Sequence, residues 1–151
     1  MAVILTVGLA AMQCWRPAHT NPSFSSGQMM ETMIITPPDV HAILTRACAD
    51  CHSNQTHWPW YSYVAPTSWF VVGHVDHGRH FINLSVWVRP GKEPLDSIDR
   101  LKAMCREVRN GDMPLASYKL AHWHSWLSAD DVHRMCEWSE AEQRSLSVAP
   151  K

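Results

Sequence analysis

The stretch Cys48-Ala49-Asp50-Cys51-His52 constrains this chain more than any other. Two cysteines three positions apart, with a histidine directly after the second, have the spacing of a c-type haem attachment site. Each part of that spacing has a chemical reason. The two thiols can add across the two vinyl groups on one edge of a porphyrin, and the imidazole that follows then faces the iron. Two rival readings use the same Cys-x-x-Cys. A zinc knuckle needs a second ligand pair, and no second Cys-x-x-Cys occurs in the chain. A dithiol redox site wants the pair at the start of a helix after a strand, whereas the residues before Cys48 have a helical pattern.

The 151 residues suffice for one domain with a real core and are too few for two comfortable ones. With 46% apolar and 18% charged residues the chain reads as globular. A net charge of −1 speaks against a nucleic-acid surface. Eight tryptophans are unusual for this length. They serve either as large core anchors or as the wide aromatic walls that a flat apolar cofactor needs.

Ala2 to Met12 is apolar and uncharged, and Trp15 and Arg16 follow. Such a run suits the apolar region of an export signal but falls short of the ~20 residues that span a bilayer. No basic residue precedes it, which suggests a true start further upstream. Gly8-Leu9-Ala10 offers a cleavage site; alternatively the run stays as a short anchor, with Trp15 at the interface. Met12 and Gln13 make a poor lipoprotein signal ahead of Cys14. His19 to Met33 is polar and reads as a linker, or as a strap across the domain.

Thr36-Pro37-Pro38-Asp39 opens a helix, with Thr36 as N-cap and Pro37 at the first position. Val40, Ile43, Leu44 and Ala47 share one face, so the Cys-x-x-Cys-His stretch begins as this helix ends. The loop after His52 holds Trp58, Trp60, Tyr61 and Tyr63 between turn-formers and prolines, and such a loop is expected to pack along a haem edge. A helix follows from Trp69 to about His77, with Gly78 as its stop. Residues 81–88 are ambiguous between helix and strand, and Arg89-Pro90-Gly91 is a break. Leu95, Ile98, Leu101, Cys105 and Val108 predict a second strong helix that stops at Asn110-Gly111. A short helix covers Ala116 to Trp123. The last helix is capped by Ser128, with Asp131 at its third position and a tail that frays from Glu140.

His52 supplies one axial position of a haem iron. For the other, Met113 leads: it follows Gly111, and Pro114 restricts it to a defined loop conformation. A thioether raises the reduction potential relative to a second histidine, which suits electron transfer. His74 is the alternative, on a helix that begins beside the aromatic loop. The His74, His77 and His80 cluster also reads as an adventitious metal site. Cys105 and Cys136, on different predicted helices, are either a disulfide or buried free thiols.

Beyond these five residues, the chain resembles the haem-binding domain family, a branch of small bacterial c-type cytochromes. The likeness continues through Ser53-Asn54-Gln55-Thr56, Trp58-Pro59-Trp60-Tyr61-Ser62, Val64-Ala65-Pro66, Ser68-Trp69, His74-Val75 and Gly78-Arg79. It then runs through Asn83-Leu84-Ser85-Val86-Trp87, Gly111-Asp112-Met113-Pro114, Tyr118, His122, Leu127-Ser128 and Trp138. The resemblance implies one covalently bound haem c, a helical cytochrome-like fold, and an exported and often membrane-tethered protein. The chain departs from the family pattern at Asp131, one position early for the usual acidic residue, at Cys136, and in a short N-terminal segment.

The expectation is therefore a mainly α, small cytochrome c-like helical domain over residues 36–145, loop-rich around one haem. An apolar signal or membrane-anchor segment (1–15) and a linker (16–35) precede it. Cys48 and Cys51 form the thioethers, His52 is the proximal ligand and Met113 the distal one. Trp58, Trp60, Tyr61 and Trp69 wall the haem. Arg79 either pairs with a propionate or is a solvated charge. The function expected is electron transfer in the bacterial periplasm, soluble or tethered to the inner membrane, with an unidentified redox partner protein. The rivals are a haem sensor or peroxidase-like enzyme with an open distal site, and a haem-free dithiol protein.

Overall fold

The computed structural model describes residues 1–87 and 95–148. Among them the regular structure is helical: α1 (Ala2–Met12), α2 (Met30–Met33), α3 (Pro38–Ala47), α4 (Ala49–His52), α5 (Thr67–Phe81), α6 (Leu95–Asn110), α7 (Ala116–Ala121) and α8 (Ala129–Val148). Single 3-10 turns lie at Ser26–Gln28, Trp60–Tyr63 and Trp123–Ser125. The predicted break at Arg89-Pro90-Gly91 lies outside the described residues.

The core forms where α3, α6 and α8 meet. Val40, Ile43 and Leu44 of α3 join Leu101, Met104, Cys105 and Val108 of α6 and Met135, Cys136 and Trp138 of α8. Each large apolar side chain buried there contributes roughly 1.5–3 kcal/mol. Polar bonds tie the core elements together: the Ser139 hydroxyl of α8 donates to the Leu101 carbonyl of α6 at 2.7 Å, and the Trp138 indole N–H to the Ile35 carbonyl, just ahead of α3, at 2.8 Å. Cys105 and Cys136 form a disulfide between α6 and α8. The two cysteines are 31 positions apart, and closing a loop of that length stabilises a fold by about 2–4 kcal/mol.

Several local expectations shift. Pro37, not Thr36, is the N-cap of α3, because a residue before proline is pushed out of the helical region: Pro37 has φ −59°, ψ 151°. Gly78 does not end α5, which runs on to Phe81. Residues 82–87 form neither helix nor strand. The 3-10 turn at Trp123–Ser125 follows α7 instead of extending it. The last helix does not fray at Glu140 but continues to Val148. Its start is as expected: the Ser128 N–H donates to Asp131 Oδ2 at 2.8 Å, and the Asp131 N–H to Ser128 Oγ at 3.1 Å. Gly111 ends α6 in the left-handed region at φ 79°.

The polar segment ahead of α3 is more than a surface strap. Met30 and Ile34 are buried in the core, and main-chain bonds join the segment to 84–87: Met30 N–H to Leu84 O at 2.9 Å and Trp87 N–H to Gln28 O at 2.8 Å. By contrast α1 has no buried residue. It is eleven residues long, and among the described residues no helix is long and apolar enough to cross a membrane. The expected anchor therefore finds no spanning element there.

Candidate functional site

Cys48 sits where α3 gives way to α4, at φ −125°, ψ −37°, with its N–H still bonded to the Leu44 carbonyl at 3.0 Å. The chain then turns helically again: the Cys51 and His52 N–H groups both reach the Cys48 carbonyl, at 3.2 and 2.9 Å. Cys48, Cys51 and His52 thus stand at i, i+3 and i+4, on one side of a turn. Both thiols are free. Burial pushes Cys48 up to about 12 and Cys51 up to about 11. Both are therefore neutral thiols at pH 7, the opposite of the environment that activates a dithiol for exchange.

Helix α5 is pressed against this turn. A Cβ at Gly78 would stand 2.6 Å from the Cys51 carbonyl oxygen and 3.3 Å from His52 Cε1, so only glycine permits the approach. The close packing sets the imidazole. His52 Nδ1 lies 3.0 Å from the Gly78 carbonyl and 3.1 Å from the Ile82 carbonyl. Two acceptors there assign the proton to Nδ1 and leave the lone pair on Nε2. Burial holds the His52 pKa below its ordinary value, and the neutral ring is the form that binds a metal. The Leu84 N–H closes the arrangement on the His52 carbonyl at 2.7 Å.

A cavity of about 300 Å³ opens beside Cys51, walled by Tyr61, Phe70, His74, Val75, Tyr118 and His122 among others. Its polar groups are chained together. The Tyr118 hydroxyl donates to Asp50 Oδ2 at 2.7 Å, and Tyr61 Oη and His122 Nε2 share a hydrogen bond of 2.7 Å. The Tyr118 and His122 rings stack at 4.2 Å and 15°. Burial, then the Asp50 carboxylate, raises the Tyr118 pKa, so its hydroxyl stays a donor.

The other expected residues take varied places. Met113 follows Gly111, is half-buried against the edge of the core, as Cys48 is, and holds the Glu107 carbonyl through its N–H at 3.2 Å. His74 faces the cavity, with Nδ1 at 2.7 Å from the Phe70 carbonyl. Of the four aromatic residues expected around the haem, Tyr61 lines the cavity. Trp58 packs edge-on to His19, and its indole N–H is buried with no hydrogen-bond partner among the described residues. Trp60 is 79% exposed. Trp69 donates its indole N–H to the Trp15 carbonyl at 2.6 Å.

Arg79 is buried and donates to the Ser53 and Thr20 carbonyls, Asn21 Oδ1 and Thr56 Oγ1, at 2.7 to 2.9 Å. It clasps the N-terminal segment to the loop after the motif and is not a solvated charge. The sequence alone assigns Asp50 and Tyr118 no role. The signal that could have pointed to Tyr118 is its i, i+4 spacing to His122, which puts both on one face of α7.

The family model described as Haem-binding domain matches residues 7–141. No curated protein and no solved structure matches the chain.

Proposed function

Since the chain belongs to the haem-binding domain family, we propose that it is a c-type cytochrome. One haem c is held covalently by Cys48 and Cys51, and its role is electron transfer in the bacterial periplasm. The observation that carries this reading is the convergence at the motif: two free thiols and a histidine on one side of a turn, with His52 Nδ1 engaged by two carbonyls and Nε2 left for a metal. The residues fit the group. The cavity beside Cys51 is mostly apolar, and the buried indole N–H of Trp58 has no acceptor among the described residues, a place that a propionate carboxylate would fill.

When bound, haem supplies a one-electron couple at its iron. The protein's part is to hold and shield it. His52 would hold the iron through Nε2, its tautomer fixed by the Gly78 and Ile82 carbonyls, an arrangement that orients metal-bound imidazoles generally. Met113, on the loop that Gly111 sets up, would supply the second ligand to the iron, a thioether that favours a high potential. Phe70, Val75 and Tyr61 would give the haem an apolar wall beside Cys51, which would raise the potential further. Arg79 keeps its clasp, and any propionate pairing is shared with those bonds. The Cys105–Cys136 disulfide fits an oxidising, extracytoplasmic compartment.

A second reading, a sensor or peroxidase-like enzyme with an open distal position, draws on His74 and His122 in the cavity wall. Carbon monoxide separates the two. In the electron-transfer reading, the reduced protein is indifferent to carbon monoxide, Met113→Ala makes it bind, and His74→Ala changes nothing. If the wild-type protein binds carbon monoxide at once, the distal position is open and the second reading stands.

A further inference from the structure

Helix α7 has no fully buried residue. It spans six residues, too few to persist on helical propensity alone, so hydrogen bonds and ring contacts decide where it lies. Tyr118, five positions after Met113, carries the bond that reaches the attachment motif, donating to Asp50 Oδ2 at 2.7 Å. Asp50 is itself held from the other side. Its Oδ1 accepts the His57 N–H at 3.0 Å, and its carbonyl accepts the Thr56 hydroxyl at 2.6 Å. His122, stacked on Tyr118 and bonded to Tyr61, adds a second tie at the end of the helix. Beyond it, Arg46 holds the His124 and Trp126 carbonyls at 3.0 and 2.9 Å.

We infer that the hydrogen bond between Tyr118 and Asp50 is a latch: it closes the segment that follows Met113 onto the Cys-x-x-Cys-His turn and so keeps small diatomic ligands from the distal position of the haem. This rests on the reading of Met113 as distal ligand. Tyr118 and Asp50 are positioning residues and act through Met113. A hydroxyl bonded to a carboxylate is among the stronger hydrogen bonds of a protein. Its removal shifts the segment from closed towards open, and a ligand that needs the open form gains affinity by the same factor.

The test uses the full-length protein matured with haem. Tyr118→Phe removes only the hydroxyl, and Asp50→Asn weakens the acceptor; if the second variant matures poorly, the first carries the test alone. The two readouts are the carbon monoxide affinity of the reduced protein and the weak red charge-transfer band of methionine-ligated ferric haem. Tyr118→Phe is expected to raise the affinity about ten- to a hundredfold, the factor associated with a hydrogen bond to a charged group, and to weaken the band. The double variant should match the stronger single one, because both delete the same bond. A merely structural role would lower the unfolding midpoint and leave affinity and band in place, which overturns the latch. A wild-type protein without the band that binds carbon monoxide at once removes the Met113 reading, and the latch with it.

Discussion

Gly78 lies against the main chain of Cys51, so that a Cβ there would come within 2.6 Å of the Cys51 carbonyl oxygen. The obstacle is backbone, which cannot swing aside as a flexible side chain can. Gly78→Ala should therefore push α5 off the motif turn and cost about 1–3 kcal/mol, as overpacking typically does. The Gly78 carbonyl also orients His52, so haem incorporation should fall with stability. Denaturant midpoints and haem content per chain check this together. Gly73, on the same helix with nothing near its Cβ position, is the control: Gly73→Ala should be neutral or stabilising, since alanine is the better helix former.

Arg79 holds the Thr20 carbonyl and Asn21 in place against Ser53 and Thr56. Arg79→Ala leaves buried acceptors unpaired at about 1–3 kcal/mol each, so a loss of at least about 2 kcal/mol is expected. Arg79→Lys should not restore it, because an ammonium lacks the planar fork that reaches several acceptors at once. Urea unfolding measures the loss, and limited proteolysis between residues 17 and 25 should show that segment released first. Cleavage unchanged from wild type would contradict the clasp.

Asp131 gives the fold an acid dependence. Burial works against its charge, but bonds from the Ser128 N–H and hydroxyl and from Arg46, at 2.7 Å, hold its carboxyl below the usual range. Its pKa is lower folded than unfolded, so its stabilisation is full above the ordinary carboxylate pKa of about 4. That contribution is lost as pH falls through the lowered folded value. Asp131→Asn should destabilise the protein at neutral pH and flatten the decline of its unfolding midpoint in acid. Parallel acid profiles for variant and wild type would count against this assignment.

What the sequence disclosed were the features fixed by local chemistry. The Cys-x-x-Cys-His turn, the apolar face of α3, the Gly111 stop and the Ser128–Asp131 cap each depend on a few neighbouring residues. What it hid depended on distant partners. Gly78 reads as a helix stop by propensity, yet its use is close approach to Cys51, which only tertiary packing reveals. Met30 and Ile34 stand at the end of a segment that reads as a linker, and their place in the core depends on contacts with α3, α6 and α8 far along the chain. The carboxylate of Asp50 gains one of its partners from Tyr118, 68 positions away.

Everything proposed for this protein turns on covalent attachment of haem through Cys48 and Cys51. It is tested most directly by an absorption spectrum taken after the protein, made with a cytochrome c maturation system, has been denatured and separated from free haem. The colour should stay with the wild-type chain and be lost from the Cys48→Ala, Cys51→Ala variant. Haem released from the wild-type chain on denaturation, or a colourless chain from that system, would contradict the account.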